Sequence, residues 1–405
     1  RVAVKAFDEP RPYEIPRALM TTDSQSVVND PQVDIVLELV GGTTLARTMI
    51  LAALKLGKPV VTANKALLSE HGEELFAAAK DFGTNLYYEA SVCGGIPIIK
   101  AVREGFVGNR ITHLYGIVNG TCNYILTRMK AEGADFAAVL ADAQRHGYAE
   151  TPPDLDIDGW DSQHKVGILA SLAHGFWVNP KDIHVEGIRH ISAVDSKFAN
   201  ELGYTIKLLG IIKIAEGRGT KGRDGKRSGS RVQVSVYPTL IPNTHVLASV
   251  NDVFNAVFVR GDVVGDTLFY GRGAGKDATA SAVLSDVADA ALDLKFGTKH
   301  RLPPFVPHEL DGAVLPISEV VSKYFVRLSV ADRPGVLAKI AAVFGAANIG
   351  ISSVIQPEGH AGESVPLILM IHDATNAAMS KALQQIGRLS AVKAPPVMIR
   401  VENFE

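Results

Sequence analysis

Apolar and polar positions in the first hundred residues come in blocks that change period. Residues 33–41 (VDIVLELVG) form a mostly apolar run that closes on Gly41-Gly42. A one-sided pattern from about Thr44 to Leu56 predicts a helix, with Gly57 as its stop. Pro59-Val60-Val61-Thr62 then predicts a strand, Ser69 to Phe82 a second helix, and Asn85-Leu86-Tyr87-Tyr88 another strand. Short apolar strands alternating with amphipathic helices fit a parallel sheet covered on both faces, so residues 1–110 are expected to form a doubly wound α/β domain. Ligands of such a domain sit beyond the carboxyl ends of its strands, where Gly41-Gly42 and Thr62-Ala63-Asn64-Lys65 fall. The opening Arg1-Val-Ala-Val-Lys-Ala-Phe7 reads as a buried strand without a lead-in, and the natural chain is expected to begin earlier, with the domain's first strand missing here.

From about Thr112 the texture changes. Helical patterns at roughly 121–131, 135–146 and 158–175 mix with strand-like segments at 206–214 and 231–237, which predicts an α+β substrate domain over 111–300. Glu216–Ser230, rich in Gly, Arg, Lys and Ser, reads as a mobile hairpin loop; it is too short and too poor in aromatic residues for a nucleic-acid tail. A Pro-rich linker at 301–321 leads to residues 322–405. There strands at 324–330, 350–356, 365–371 and 397–401 and helices at 336–346 and 376–387 give the order βαββαβ, a ferredoxin-like arrangement. It carries no cluster of titratable groups, so it reads as a sensor or an oligomerisation module.

Composition narrows the class. The 405 residues are 47% hydrophobic and 21% charged, with a net charge of −2, which gives no electrostatic reason to expect nucleic acid or an anionic membrane as partner. Cys93 and Cys122 are too few for a disulfide framework, and a reducing cytoplasm is the expected compartment. No apolar run approaches the roughly 18 residues of a membrane span.

The stretch from Gly147 to Lys165 holds the densest chemistry. Asp161 and Lys165 are spaced to share one helix face. Such a pair is most often an exposed ion pair of little consequence. Here an apolar helix follows Lys165, and acids at 150, 154, 156 and 158 precede it, which suits an amine-bearing substrate and a positioned proton donor. Lys65 is either a helix-start lysine or a ligand, and Gly41-Gly42 either a plain turn or a close approach to nicotinamide or phosphates. Glu89-Ala-Ser-Val92-Cys-Gly94-Gly-Ile96 is a tight turn that can also offer carbonyls to a hard cation. Gly271-Arg-Gly273-Ala-Gly275-Lys276 lacks Walker-loop spacing, yet its glycines at a helix N-terminus can touch a pyrophosphate. Cys122 has no histidine base beside it and reads as a buried thiol more readily than as a nucleophile.

Taken in order, the Gly-Gly after VDIVLEL, TANKALL, EASVCGGIPII, GIVNGTCNYILTRM, GYAE with GWDSQHK, and GRGAGKDATASAVLSD resemble the homoserine dehydrogenases over residues 1 to about 295. YFVRLSVADRPGVLAKIAAVFGAANIGISSV resembles an ACT domain. The resemblance implies a Rossmann-like domain, a catalytic domain and a C-terminal ACT domain. It implies NAD- or NADP-linked interconversion of L-homoserine and L-aspartate 4-semialdehyde by a homo-oligomer, dimer or tetramer, with threonine as the expected effector. Lys165 matches the family's general acid, and Glu150 and Asp161 its substrate-holding carboxylates. Gly41, Gly42, Lys65, Gly147, Gly273 and Gly275 match positions near the cofactor. Glu89, Val92, Gly94 and Ile96 match a turn that binds a monovalent cation, sodium, mainly through backbone oxygens. GYAE is followed by Thr-Pro-Pro where Ala-Asp-Pro is usual, so Pro152 receives no ligand role, and the family's GxGxxG turn is absent.

Overall fold

The computed structural model describes residues 1–215, 230–298, 305–309, 311–357 and 364–404. The basic loop predicted from Glu216 lies outside the described residues apart from Ser230, as do residues 301–304 and 310 of the Pro-rich linker. Two compact units emerge: Arg1–Ile111 with Gly167–Pro180 and Gly271–Gly312, and Thr112–Val166 with Lys181–Tyr270 and Ala313–Glu405.

In the first unit, strands Val36–Glu38, Val60–Thr62 and Leu86–Tyr87 lie parallel in sequence order. Most of their side chains are buried, Leu37 being the exposed exception. Val61 and Tyr87 pack against Val283 and Ala290 of helix Lys276–Phe296, and the buried face of helix Leu45–Lys55 includes Ile50 and Leu54. Helix Lys65–Asp81 begins four residues before the predicted Ser69, because the Asn64 side chain caps it by accepting from the Leu67 N–H. The opening segment departs from expectation. Only Val2–Ala3 is a strand, paired with Met20–Thr21 alone, and Val2 is exposed. A proline-interrupted stretch follows, in which Phe7 lies under the Arg17 guanidinium rather than in a core.

The second unit is organised on an eleven-stranded sheet. Nine of them run in the order Gly265–Arg272, Phe254–Gly261, Ile111–Ile117, Tyr204–Ile214, Arg231–Pro242, Val397–Val401, Val321–Ala331, Ser364–Thr375, Ile351–Ile355, and the short strands His184–Val185 and Ala313–Val314 pair with Arg231–Pro242 off that path. The last four of the nine form the predicted βαββαβ arrangement, with helices Val336–Ala346 and Asn376–Gly387 packed on a core that includes Tyr324, Leu328, Ile340, Phe344 and Met379. This segment is not a separate bead. Arg400 and Val401 pair with Thr239 and Leu240, so one sheet continues from the central strands into the C-terminal ones. Phe404 stacks on His245 at 3.5 Å and meets Tyr115 edge-on.

Helix Trp160–His174 carries most of the chemistry at its start and a half-buried histidine at its end. Burial, with help from Arg110, pushes the His174 pKa down to about 4, and its Nε2 has no partner among the described residues. A histidine whose folded pKa lies below its unfolded value contributes stability that is complete above pH 6.5 and is lost as the pH falls toward 4. Between pH 7.5 and 5 the protein is expected to lose about 2 kcal/mol more than a His174→Leu variant. Urea midpoints at the two pH values check this; parallel losses in both proteins would sink it.

Candidate active site

The second unit brings together one strand end, one helix start and the acidic turn. Strand Ile111–Ile117 passes through Val118 to Asn119, which caps helix Gly120–Glu132 by accepting from the Cys122 N–H at 2.8 Å. Lys165, one turn into the following apolar helix, is 7% exposed and Asp161 6%, so the pair is not the surface ion pair that its spacing alone would favour. Lys165 Nζ donates to Asp161 Oδ2 at 2.7 Å and to the Val118 carbonyl at 2.7 Å. Asn119 Nδ2 donates to Asp161 Oδ2 at 2.9 Å and to Asp156 Oδ1 at 2.7 Å. Burial pushes Asp156 above the usual carboxylate range, and the Asn119 hydrogen bond works against that rise.

The acids ahead of Lys165 divide by role. Asp154 and Asp158 share Arg189, which offsets one of their two negative charges and ties both away from the lysine. The Arg189 segment buttresses the acidic turn: Ile188 N–H donates to the Ile157 carbonyl, and a Cβ on Gly187 would come within 2.2 Å of that same oxygen. Only glycine lets the two backbones approach so closely. Glu150 is exposed after helix Phe136–Arg145, and no described hydrogen bond ties its carboxylate to the lysine cluster. Its backbone is held, by Gln144 Nε2 on the Glu150 carbonyl and by Thr121 Oγ1 on the Tyr148 carbonyl. Gly147, with φ +72°, makes the turn between that helix and Glu150. Cys122 is fully buried, its thiol pKa raised by burial and by nearby Asp156, which does not suit a nucleophile.

In the first unit, Gly41 and Gly42 adopt φ +78° and +73° beyond strand Val36–Glu38, and a Cβ on either would meet open space. The buried Glu38 carboxylate holds this turn from behind, accepting from the Val40 and Gly41 N–H groups and from Thr62 Oγ1. Asn64 Nδ2 donates to the Gly42 carbonyl, which places Lys65, the first residue of its helix, beside the glycine turn. The Glu89–Ile96 turn lies on the 271–275 segment: Gly94 N–H donates to the Gly273 carbonyl and Gly95 N–H to that of Arg272, both at 3.0 Å. Gly275, φ +112°, caps helix Lys276–Phe296 without a side chain, leaving an open helix N-terminus. The Glu89 carboxylate faces inward onto the N–H groups of Ile99 and Lys100, and burial pushes its pKa up to about 7. Asp286, which accepts from the Glu89 N–H, is likewise pushed up by burial, to about 6.

Sequence reasoning singled out Lys165, Asp161 and the glycine turns. It missed Val118, Asn119, Glu38 and Asp286, of which only Asn119, as a helix cap, carried any local signal.

A parallel sheet with an open glycine turn at its carboxyl edge fits a nucleotide-binding domain, and the buried lysine–carboxylate pair of the second unit fits a positioned proton donor. Comparison with known proteins narrows the class. Residues 1–89 match the family model for the homoserine dehydrogenase NAD-binding domain, and residues 97–288 that for homoserine dehydrogenase itself. Homoserine dehydrogenase of Pseudomonas aeruginosa is 42% identical over 95% of this chain and 87% of its own length, and that of Bacillus subtilis 38% identical over 100% and 90%. The crystal structure of the Thiobacillus denitrificans enzyme, 42% identical, superposes with a TM-score of 0.89 over 100% of this chain and 90% of that one. A hyperthermophilic archaeal homoserine dehydrogenase in complex with NADPH, 28% identical, gives 0.55 over 67% of this chain and 75% of its own. The chain belongs to the homoserine dehydrogenase family.

Proposed function

We propose that the enzyme interconverts L-homoserine and L-aspartate 4-semialdehyde with NAD or NADP, with Lys165 as the acid–base group. The buried Lys165–Asp161 pair, anchored to the Val118 carbonyl, carries this reading. The open glycine turn at 41–42 and the open helix N-terminus at Gly275 fit a dinucleotide, with Gly273, Lys65 and Gly147 the further positions that would adjoin it; when bound, the nicotinamide accepts or supplies the hydride. Lys165 Nζ, as the neutral amine after giving one proton to solvent, takes the hydroxyl proton in the oxidative direction; as the ammonium it gives a proton to the aldehyde oxygen in the reductive one. Asp161 keeps that ammonium oriented and, with Glu150, meets the substrate's own ammonium. The inward-turned Glu89 side chain leaves backbone oxygens of Glu89, Val92, Gly94 and Ile96 as the donor set, which suits a weakly held monovalent cation such as sodium. The described residues contain no cluster of three or more His, Cys, Asp or Glu for a tighter metal. Homoserine-dependent reduction of NADP⁺ by the purified protein is the expected result; no turnover with either nucleotide would reject the reading.

The C-terminal βαββαβ segment is the ACT-type regulatory part in this reading, with threonine as its ligand. A cavity of about 550 Å³ lined by Asp332, Arg333, Pro334, Gly335 and Gln356 supports it. The cavity lies at the start of helix Val336–Ala346, whose Gly335 cap leaves amides for a carboxylate. Exposed Val263, Val264 and Tyr270 at the sheet's edge support a homo-oligomer.

A further inference from the structure

We propose that Asn119 is a positioning residue of the reaction, fixing Asp161, and through it Lys165, by bridging Asp161 to Asp156. The inference rests on the reading of Lys165 as the acid–base group.

The amide can adopt only one orientation. The Cys122 N–H at its helix cap needs an acceptor, and the two carboxylates need donors, so Oδ1 faces the helix and Nδ2 faces the acids. Both amide protons are thereby used, one on Asp156 Oδ1 and one on Asp161 Oδ2. The second is the same oxygen that receives Lys165 Nζ. The preceding residue, Val118, supplies the other oxygen on Lys165. Two consecutive residues of one strand-to-helix turn therefore set both members of the pair: a carbonyl aims the ammonium, and an amide aims the carboxylate.

The site needs such a device. Half-buried Asp156 lies near buried Asp161, and the Asp161 charge adds to the burial that makes Asp156 costly to ionise. The groups facing this cluster are Lys165 and Asp161 from the long helix, Asp156 and Asp158 from the acidic turn, and Cys122 from the capped helix. With Arg189 holding Asp158, Lys165 is a cation in direct contact with the pair, through Asp161. Without the amide between them, the carboxylates would separate or one would take a proton, and Asp161 would no longer hold the lysine still. Of the side chains that cap helices, asparagine supplies the cap acceptor and two donors at once.

Asn119→Ser keeps a cap acceptor and loses the bridge. Asn119→Asp keeps the cap and the shape but turns both bridging contacts into repulsion. The serine variant is expected to lose about 10–100-fold in kcat, the scale of a small misplacement of a reacting group, with KM for L-homoserine changed far less. The acid limb of its kcat–pH profile should move to higher pH. The aspartate variant should lose more at pH 8 and recover part of the loss on acidification, as protonation restores a donor. Circular dichroism and NADPH binding should match wild type in both. Unchanged kcat, or an equal loss in both variants with the wild-type pH profile, would overturn the proposal. Lys165→Met, run in parallel, separates the two levels. If it is inactive while both Asn119 variants behave as wild type, only the positioning role fails; if it is active, the acid–base assignment fails and takes the positioning role with it.

Discussion

Replacing Lys165 by alanine should lower kcat by roughly 10²–10⁴, the usual contribution of a positioned acid or base. The ammonium donates to a carboxylate and to a backbone carbonyl, each at 2.7 Å, so its place is set before substrate arrives. Removing it leaves Asp161 with Asn119 as a hydrogen-bond donor, so the carboxylate is not stranded and the helix should persist. The effect should therefore fall on kcat rather than on folding or on KM for homoserine. Steady-state rates with saturating nucleotide, beside a thermal melt, check this. Retention of more than about half the activity would remove Lys165 from the proton transfer.

A second large effect is expected far from that lysine. Arg400 is 1% exposed; its guanidinium makes two 2.9 Å hydrogen bonds to Glu186, a third to Asn376 at 2.7 Å, and lies 4.3 Å from the Tyr237 ring centre. Burial alone would raise the Glu186 pKa, yet hydrogen bonds from His184 and Arg400 hold it at about 2. Arg400→Met should cost about 3 kcal/mol, because it leaves a largely buried carboxylate with His184 alone. The double variant with Glu186→Gln should recover part of that loss. Glu186 directly precedes the Gly187–Arg189 segment behind the acidic turn, so a several-fold fall in kcat should accompany the loss of stability. Denaturant midpoints for both singles and the double decide it; a change below about 0.5 kcal/mol would mean that the pair contributes no more than a surface salt bridge.

What was legible in the sequence followed the range of the interaction. Helix Trp160–His174 and the βαββαβ order came from local periodicity, and Asp161–Lys165 from a spacing of four on one helix. The acidic turn looked like a store of negative charge because Arg189 is 31 residues from Asp158 and 35 from Asp154. The anchors of the lysine pair are farther still, Val118 at 47 residues from Lys165 and Asn119 at 42 from Asp161. A backbone carbonyl has no letter of its own, so nothing along the chain marks Val118 as part of the site. The Lys65 helix started early because Asn64 in TANK is a cap, a role that the apolar pattern does not record. The opening strand was overread because its apolar residues imply burial only where a second layer covers them, and this strand pairs on one side only.

The Val118 oxygen also bears on how such a site changes over generations. Every residue that can occupy position 118 presents the same acceptor to Lys165, so codon changes there sample packing and leave this contact with the lysine intact. Selection acting on the proton transfer can reach that contact only indirectly, by bending the strand or altering Asn119. A catalogue of all single substitutions would score position 118 as a core valine. Its share in the chemistry would come to light by replacing the 118–119 amide with an ester, which weakens that oxygen, removes the Asn119 backbone N–H and leaves every side chain in place.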